Sequence, residues 1–444
     1  ALHCLIRWWR AIERWIERDA PQERASRYPA VTLATVLRPR VEPLSLTSSL
    51  EHRQRITIRF TGEIVPRSRG EPFKGATFAA YAGDLVFSKI DARNGAIGIV
   101  PPTIPKVVVT SEYPVFVADE SRIRIDYLRH LLRARHFQTQ LQREASGTSG
   151  RKRIKPSAFT SLSVPIPSLA EQDALVADYE AALARATAIE REAQTLEADA
   201  RAAFEEALGI APPPPPPNRP LFVARFKDIE RWSHDAMMRA STHSAAVSPK
   251  WPTAPIGAVV SGIKHGCSAG PAKRPTTLRV LRIGAVTKGA LDADDWKYLP
   301  DREVFRQQFD LRAGDVLICR TNGTLAYVGM AALVERPPVD TVFPDKIIRV
   351  RPDTARVDPE FLWRLLQTGA MRQQIEGAAR TAVGNYAIGG ADIARLVAPM
   401  PPLAEQRQLA ATLALALADA ADKRKAAQTL RAEAWSRFES ALFA

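Results

Sequence analysis

Twice in this chain a Gly-Asp step leads into a short apolar run that ends on polar and basic residues. The first is GDLVFSK, Gly83–Lys89, followed by Asp91, Arg93, Asn94 and Gly95; the second is GDVLICR, Gly314–Arg320, followed by Thr321, Asn322 and Gly323. An apolar run of this length bounded by turn residues reads as a strand, and the polar stretch after it as a loop tip. Arg, Lys, Asn and Thr at a tip are the types that hydrogen-bond base edges and phosphates. Asn-Gly also serves a plain hairpin by supplying positive φ, but the same layout in two places favours chemistry. The candidate nucleic-acid contacts are therefore Ser88, Lys89, Arg93 and Asn94 at one tip and Arg320, Thr321 and Asn322 at the other, with Lys346 at the start of a later strand-like run. A second basic element, SGTSGRKRIK at Ser146–Lys155, adds Arg151, Lys152, Arg153 and Lys155. Cations beside Gly and Ser suit a loop that grips phosphates, or simply a solvated loop. Its counterpart, Arg380–Gly390, keeps the glycines and only one cation.

No catalytic constellation accompanies these residues. The chain has no GxGxxG, no GxxxxGK[ST], no HExxH among its seven histidines, and no Asn/Asp-Pro-Pro-Tyr/Phe. Neither a dinucleotide fingerprint nor a phosphate-binding P-loop is present. Pro344-Asp345 followed by Lys346 lacks the second acid-x-lysine that a nuclease would need, so Asp345 reads as a turn residue; Asp295-Trp296-Lys297 reads as a surface turn. The expectation is a binding protein with no catalytic residue and no metal site.

The elements that must position the tips come in duplicate. Val164–Leu208 recurs without a gap at Ala398–Leu442, an offset of 234, with about half the positions identical. Both copies open on a proline-bounded run (PIPSLAEQ at Pro165, PMPPLAEQ at Pro399) and close on Phe-Glu-x-Ala-Leu. The chain is a two-fold tandem repeat. Each half reads as a short leading helix, a globular region on the order of 130 residues, and one long helix. The Gly-Asp strands, Tyr28-Pro29 with Trp251-Pro252, and the IERW pair at Ile12 and Ile229 keep the same order.

The long helices carry a heptad seam. Nothing breaks the first between Pro167 and Gly209, and Leu175, Tyr179, Ala182, Ala186, Ile189, Ala193, Leu196, Ala200, Ala203 and Ala207 alternate steps of four and three. Leu409, Leu413, Ala416, Ala420, Ala427, Leu430, Ala434 and Ala441 continue the pattern in the second copy, with Lys423 and Arg437 intruding. Alanine lets two helices approach closely, and a repeat within one chain favours an intramolecular antiparallel pair. The hexaproline Pro212–Pro217 then serves as a semi-rigid connector.

Composition sets limits on partners. Hydrophobic residues make up 46% and the net charge is +14, but Ser168–Leu208 alone carries −7, leaving +21 on the rest. A basic body implies a polyanion, and an acidic helix implies a different partner, for which its exposed face is the candidate. No apolar run approaches the ~20 residues of a membrane span. The opening LHCLIRWWRAIERWI interleaves charges and reads as an amphipathic helix rather than a signal peptide. Three scattered cysteines, Cys4, Cys267 and Cys319, imply a reducing compartment. The globular regions alternate short strand-like runs (Arg55–Phe60, Leu85–Ile90, Lys106–Val109, Val115–Val117, Val316–Arg320, Lys346–Val350) with helices over Tyr127–Arg143 and Glu360–Glu376, an α+β pattern.

In its doubled PxPxLAEQ-plus-helix, its paired Gly-Asp strands and its Thr321–Val334 stretch of Thr-Asn-Gly, Val-Gly and Ala-Leu-Val, the chain resembles the specificity (S, HsdS-like) subunit of type I restriction–modification systems. The resemblance implies two target-recognition domains of mixed short strands and helices. A long antiparallel coiled coil separates them, and the two halves are related by an internal pseudo-two-fold. On it the chain divides into target-recognition domains at 28–163 and, with a short leading helix, 221–397, and spacer helices at 164–210 and 398–444; the N-terminal amphipathic helix at 1–27 and the polyproline linker at 211–220, read from the residues themselves, depart from the family pattern. Leu175, Tyr179, Ile189, Leu196, Leu409, Leu413 and Leu430 would line the coiled-coil seam. Each domain would read half of an asymmetric bipartite site in double-stranded DNA. Two methyltransferase subunits would dock on the spacer and restriction subunits would join them. S-adenosylmethionine would then belong to the methyltransferase and ATP and Mg to the restriction subunit, with no cofactor on this chain, no membrane, and a cytoplasmic location. Two other readings stay open: a DNA-recognition subunit of a methylation-only or phage-defence system, and a coiled-coil adaptor that binds no DNA.

Overall fold

The computed structural model describes residues 26–44, 53–67, 75–144, 153–210, 250–382 and 384–443. The N-terminal amphipathic helix, the polyproline linker, the leading helix of the second half, and Arg151 and Lys152 lie outside these residues. The helices that matter for the site are α1 (Ile125–Leu131), α2 (Arg135–Glu144), α3 (Leu169–Ala207), α4 (Pro359–Leu365), α5 (Gly369–Ala378) and α6 (Leu403–Leu442).

The chain divides into two compact units, Ala1–Glu190 with Lys425–Ala444 and Arg191–Arg424. Each contains the same four-stranded antiparallel sheet. In the first unit the order is Leu37–Arg40, Val115–Ala118, Leu85–Phe87, Ile97–Ile99; in the second it is Val260–His265, Ile347–Pro352, Val316–Cys319, Ala331–Leu333. The strand after each Gly-Asp is wholly buried because both of its faces are covered. Leu85 and Phe87 pack with α1 and α2 while Val86 joins a second core against Val107, Val109 and Val115. Val316 and Ile318 likewise face α4 and α5 while Leu317 and Cys319 face Phe343 and Val334. Alternating side chains go to opposite faces, so a strand covered on both sides reads as an unbroken apolar run. The first unit adds a five-stranded sheet around Thr77–Tyr81 and Lys106–Thr110; the second adds a three-stranded sheet of Trp296–Tyr298, Arg279–Leu281 and Thr341–Val342. Trp296 and Lys297 therefore lie in a strand, not in the surface turn expected of them, since Trp296 pairs with Leu281.

The two proline-bounded runs are edge pairings. Ser163–Pro165 pairs with Ala30–Thr32, and Val397–Pro399 with Thr253–Pro255. Both motif glutamines are buried and spend their whole amide on backbone. Gln172 accepts from the Arg124 amide and donates to the Arg122 and Pro167 carbonyls. Gln406 accepts from the Asp358 amide and donates to the Arg356 and Pro401 carbonyls. Arg124 and Asp358 are the N-cap residues of α1 and α4, so each glutamine fastens a long helix to the start of a globular-region helix. The closing Phe-Glu-x-Ala-Leu motifs do the complementary job. Glu439 takes the Arg135 amide at the start of α2, and Glu205 takes the Gly369 amide at the start of α5. The first unit thus holds Gln172 and Glu439, the opening motif of one long helix and the closing motif of the other, and the second holds Gln406 and Glu205.

These caps also explain a departure from expectation. Each single helix expected over Tyr127–Arg143 and Glu360–Glu376 is two, broken at residues 132–134 and 366–368. A carboxylate from a long helix restarts each, and in the second unit Thr368 adds its hydroxyl to the Met371 amide. Caps of this kind are worth about 1 kcal/mol.

α3 runs unbroken for 39 residues to Gly209, whose φ of +70° ends it, and α6 for 40. Within the first unit Asp178 lies 3.7 Å from Arg437, and Glu190 pairs with Arg431. Within the second, Lys423 lies 3.5 Å from Glu192 and Arg424 pairs with Glu197. In the first unit, residue numbers that rise along α3 fall along α6, so the helices run antiparallel there. Ala182, Ala186 and Ala193 of α3 and Ala420, Ala427 and Ala434 of α6 are buried. Leu413 is buried; Leu175, Tyr179, Ile189, Leu196, Leu409 and Leu430 are half-buried. The seam drifts at the ends. Ala203 is exposed while Phe204 and Leu208 are buried, because those larger side chains enter the core of the second unit. Lys423 and Arg437 flank the seam as ion-pair partners. The acidic face expected to await another protein is largely engaged: Asp173 is held by Arg124, Glu180 lies 3.6 Å from His130, and Asp178, Glu190, Glu192 and Glu197 face cations of α6.

Candidate nucleic-acid interface

In both units the Gly-Asp step is a built corner rather than a ligand. Gly83 and Gly314 have φ of +88° and +87°. Asp84 accepts from the Tyr81 amide at 2.8 Å and pairs with Arg40 at 2.9 Å. Asp315 accepts from the Arg312 amide at 2.8 Å and takes a two-pronged bond from Arg351 at 2.7 and 2.8 Å. Both carboxylates are buried, and a buried carboxylate needs this pairing. The corner fixes where the strand begins, and therefore where its far end emerges.

At the far end of the first strand, Ser88 is buried and its hydroxyl accepts from the Asp91 amide. It shapes the turn and is not on the surface, which corrects the expectation of a DNA contact there. Lys89, half-buried, donates its amide to Glu112 O, and its carbonyl accepts from the Ile154 amide at 2.8 Å. That bond brings the second basic element to the first. Lys155 is exposed beside it, and Arg153 is exposed but 3.3 Å from Glu112, so part of its charge is offset. Arg93 and Asn94 form a short 3-10 turn that Gly95 ends at φ +98°. Asn94 is exposed, and the buried Nε of Arg93 has no hydrogen-bond partner among the described residues.

The second unit repeats the plan. Arg320 donates its amide to Lys346 O, its carbonyl accepts from the Ile388 amide at 2.9 Å, and its Nη1 donates to Asp345 O. Its Nε, too, is buried without a partner among the described residues. Thr321–Asn322 pairs with Asn385–Ala387, which forms a hairpin with Arg380–Ala382 through Gly384 at φ +78°. The Thr321 hydroxyl donates to Tyr386 O and the Asn322 carbonyl oxygen accepts from the Thr324 amide; the Asn322 amide nitrogen is the part left to face a ligand. Lys346 is exposed, 3.3 Å from Asp345. His265 stands beside this group; burial and the nearby Arg320 charge hold its pKa below the usual histidine value.

Ile154 and Ile388 are themselves 234 apart, so the bonds Lys89·Ile154 and Arg320·Ile388 are one structural feature occurring twice. In each unit it joins the tip after the Gly-Asp strand to the second element. Sequence reasoning missed His265, Tyr386, and two exposed aromatics, Phe60 and Tyr327. It also missed two arginines, Arg133 and Arg372, that brace the tips. The polar context of Phe60 (Arg59-Phe60-Thr61-Gly62) was the available signal. Among the described residues no group of three or more His, Cys, Asp or Glu is placed to hold a metal ion. No described helix is long and apolar enough to cross a membrane.

No protein-family model matches the chain. Curated relatives do. The type I restriction enzyme EcoKI specificity subunit of Escherichia coli (strain K12) is 23% identical over 296 residues, 65% of this chain and 58% of that protein. The type I restriction enzyme StySPI specificity subunit of Salmonella potsdam is 20% identical over 291 residues, again 65% and 58%. By sequence this chain resembles the specificity subunits of type I restriction enzymes. It spans about 58% of the length of these relatives. Among solved structures, a chain of a type I R-M system described for complex assembly and conformational transition matches with a TM-score of 0.59 at 19% identity, over 95% of this chain and 98% of that one. At that identity the likeness shows the fold alone, and the chain shares its fold with this neighbour.

Proposed function

We propose that this chain is the DNA-recognition subunit of a type I restriction–modification complex, and that each unit reads one half of an asymmetric bipartite site. The observation that carries this is the duplicated convergence at Lys89·Ile154 and Arg320·Ile388. In each unit it gathers cations and amide side chains around a tip braced by a buried corner. The tips differ in sequence, so the half-sites differ.

In this reading α3 and α6 act as the spacer, and their unbroken length makes the gap between half-sites part of the specificity. Half-sites about 10 bp apart would present on one face of the duplex. Two methyltransferase subunits, carrying S-adenosylmethionine, would dock on the chain and flip the target base out of the stack. Restriction subunits, carrying ATP and Mg, would complete the complex. The chain itself would hold no cofactor and perform no bond-making step, and it would work in the cytoplasm with the DNA.

The test is a binding titration on the assembled complex with duplexes carrying each half-site in turn altered. Arg320→Ala with Asn322→Ala should relax selection at one half-site by about 1–3 kcal/mol per lost base contact and leave the other intact. Loss of selection at both half-sites alike, or at neither, contradicts the assignment of one half-site to each unit.

A further inference from the structure

Among the described residues seven large hydrophobic side chains are exposed: Val41, Phe60, Val304, Tyr327, Val339, Val397 and Leu415. A lone exposed apolar residue needs no explanation. The two aromatic ones, however, fall one in each unit: Tyr327 follows the tip that carries Arg320 and Asn322, and Phe60 lies in a hairpin turn packed against the tip that carries Arg93 and Asn94.

Phe60, 62% exposed, sits in the turn between strands Gln54–Ile58 and Ile64–Pro66. Its carbonyl is packed against Gly95, where a Cβ would lie 2.2 Å from Phe60 O. Arg133, just beyond α1, donates to Ile97 O at 2.7 Å and to Phe60 O and Gly95 O at 3.4 Å. One arginine thus ties the turn bearing Phe60 to the turn bearing Arg93 and Asn94. Tyr327, 45% exposed, closes the 3-10 turn Leu325–Tyr327 that comes after Asn322. Arg372 of α5 donates to Ala326 O at 3.1 Å and Val328 O at 2.7 Å, the carbonyls on either side of Tyr327. Gly329 lets the backbone come this close; its φ is +80° and a Cβ there would lie 2.3 Å from Ile375 Cγ2.

The two rings reach their places by different routes, one on a separate hairpin and one on the tip itself. Both stand on backbone braced by an arginine borne on or just after a helix of the same unit. A ring with few rotamers on a fixed backbone loses little entropy when it is immobilised against a ligand. Beside donors suited to base edges, an exposed aromatic face suits the one apolar group on a base edge in the major groove, the 5-methyl of thymine.

We propose that Phe60 and Tyr327 are specificity-determining contacts to a thymine methyl, one in each half-site. The inference rests on the DNA-recognition reading. Its test replaces each thymine of the site by deoxyuridine, one at a time, which removes only the methyl, and measures binding by the assembled complex. Deoxyuridine should weaken wild-type binding about four-fold at one position in each half-site, the worth of one buried methyl group. Phe60→Ala should abolish that discrimination in one half-site and Tyr327→Ala in the other, while Phe60→Tyr and Tyr327→Phe retain it. Both positions are exposed, so the variants keep their fold. Alanine variants that discriminate as the wild type does, a uniform loss of affinity across both half-sites, or a half-site without an A·T pair would each overturn the proposal. If the wild-type complex selects no DNA site at all, the underlying reading fails as well.

Discussion

Replacing Gln406 by leucine separates the anchoring role of the repeated motif from its surroundings. The side chain is 1% exposed and makes three bonds at 2.9, 3.1 and 2.9 Å, to the Asp358 amide and to the Arg356 and Pro401 carbonyls. Leucine keeps most of the volume, so the cavity contribution is small. It strands one donor and two acceptors away from water, at about 1–3 kcal/mol each. These three share one side chain and are not additive, so the expected loss is on the order of 3 kcal/mol. Native-state hydrogen exchange resolves where that loss falls. Amides of α4 and α5 should exchange about a hundredfold faster, while those of α1 and α2 keep their wild-type protection. Gln172→Leu should give the mirror result. A change under about 0.5 kcal/mol, or equal acceleration of α1 and α4 in the single variant, would refute the idea that each glutamine anchors its own unit.

Named contacts give three further expected outcomes. Glu197 is held below its ordinary pKa by hydrogen bonds from Arg424 first and from Arg201. The folded state therefore binds its proton less readily than the unfolded chain. The stability it contributes is present above the ordinary glutamate range and is lost as pH falls through the lowered folded value; acid titration of Glu197→Gln should lack that component, and an unchanged acid limb would count against the pair. Gly95→Ala should destabilise the first unit by more than about 1 kcal/mol, measured by denaturant unfolding, because a Cβ would meet Phe60 O at φ +98°; near-neutral stability would show that the turn can shift. Cys319 is fully buried, and burial pushes its thiol up to about 11. At pH 8 it should resist alkylation in the native protein and react only on unfolding, and prompt native labelling, read by mass spectrometry, would contradict its place in the core.

The sequence discloses the features that repeat or are local. The tandem copies, the two long helices and the strands after Gly83 and Gly314 come from periodicity and apolar runs that short-range sterics and burial dictate. The helix breaks do not, since LLRARHF at Leu131–Phe137 has neither Gly nor Pro, and the carboxylate that restarts α2 is Glu439, 304 residues away. The role of Gln172 and Gln406 is hidden for the same reason, because two of the three partners of each lie 48 and 50 residues upstream. Charge counting located the acidic helix but not its use, since Glu190 and Glu197 meet Arg431 and Arg424 only once the helices run antiparallel. At the tips, residue types marked Lys89 and Arg320 as candidate contacts but not that each bonds to a second loop through Ile154 or Ile388. The burial of Ser88 and the exposure of Phe60 depend on which face of a turn each residue takes, and no local pattern sets that.

The most direct measurement of DNA reading is a genome-wide map of methylated adenines. It would be made in an unmodified host expressing this chain with the methyltransferase of its own system, then repeated with Arg320→Ala/Asn322→Ala. The expected result is a bipartite, asymmetric motif with one fixed gap that is absent without this chain, and in the variant the motif should degenerate in one half only. Methylation that is unchanged when the chain is omitted, or a motif that is single and ungapped, would contradict two units reading two half-sites.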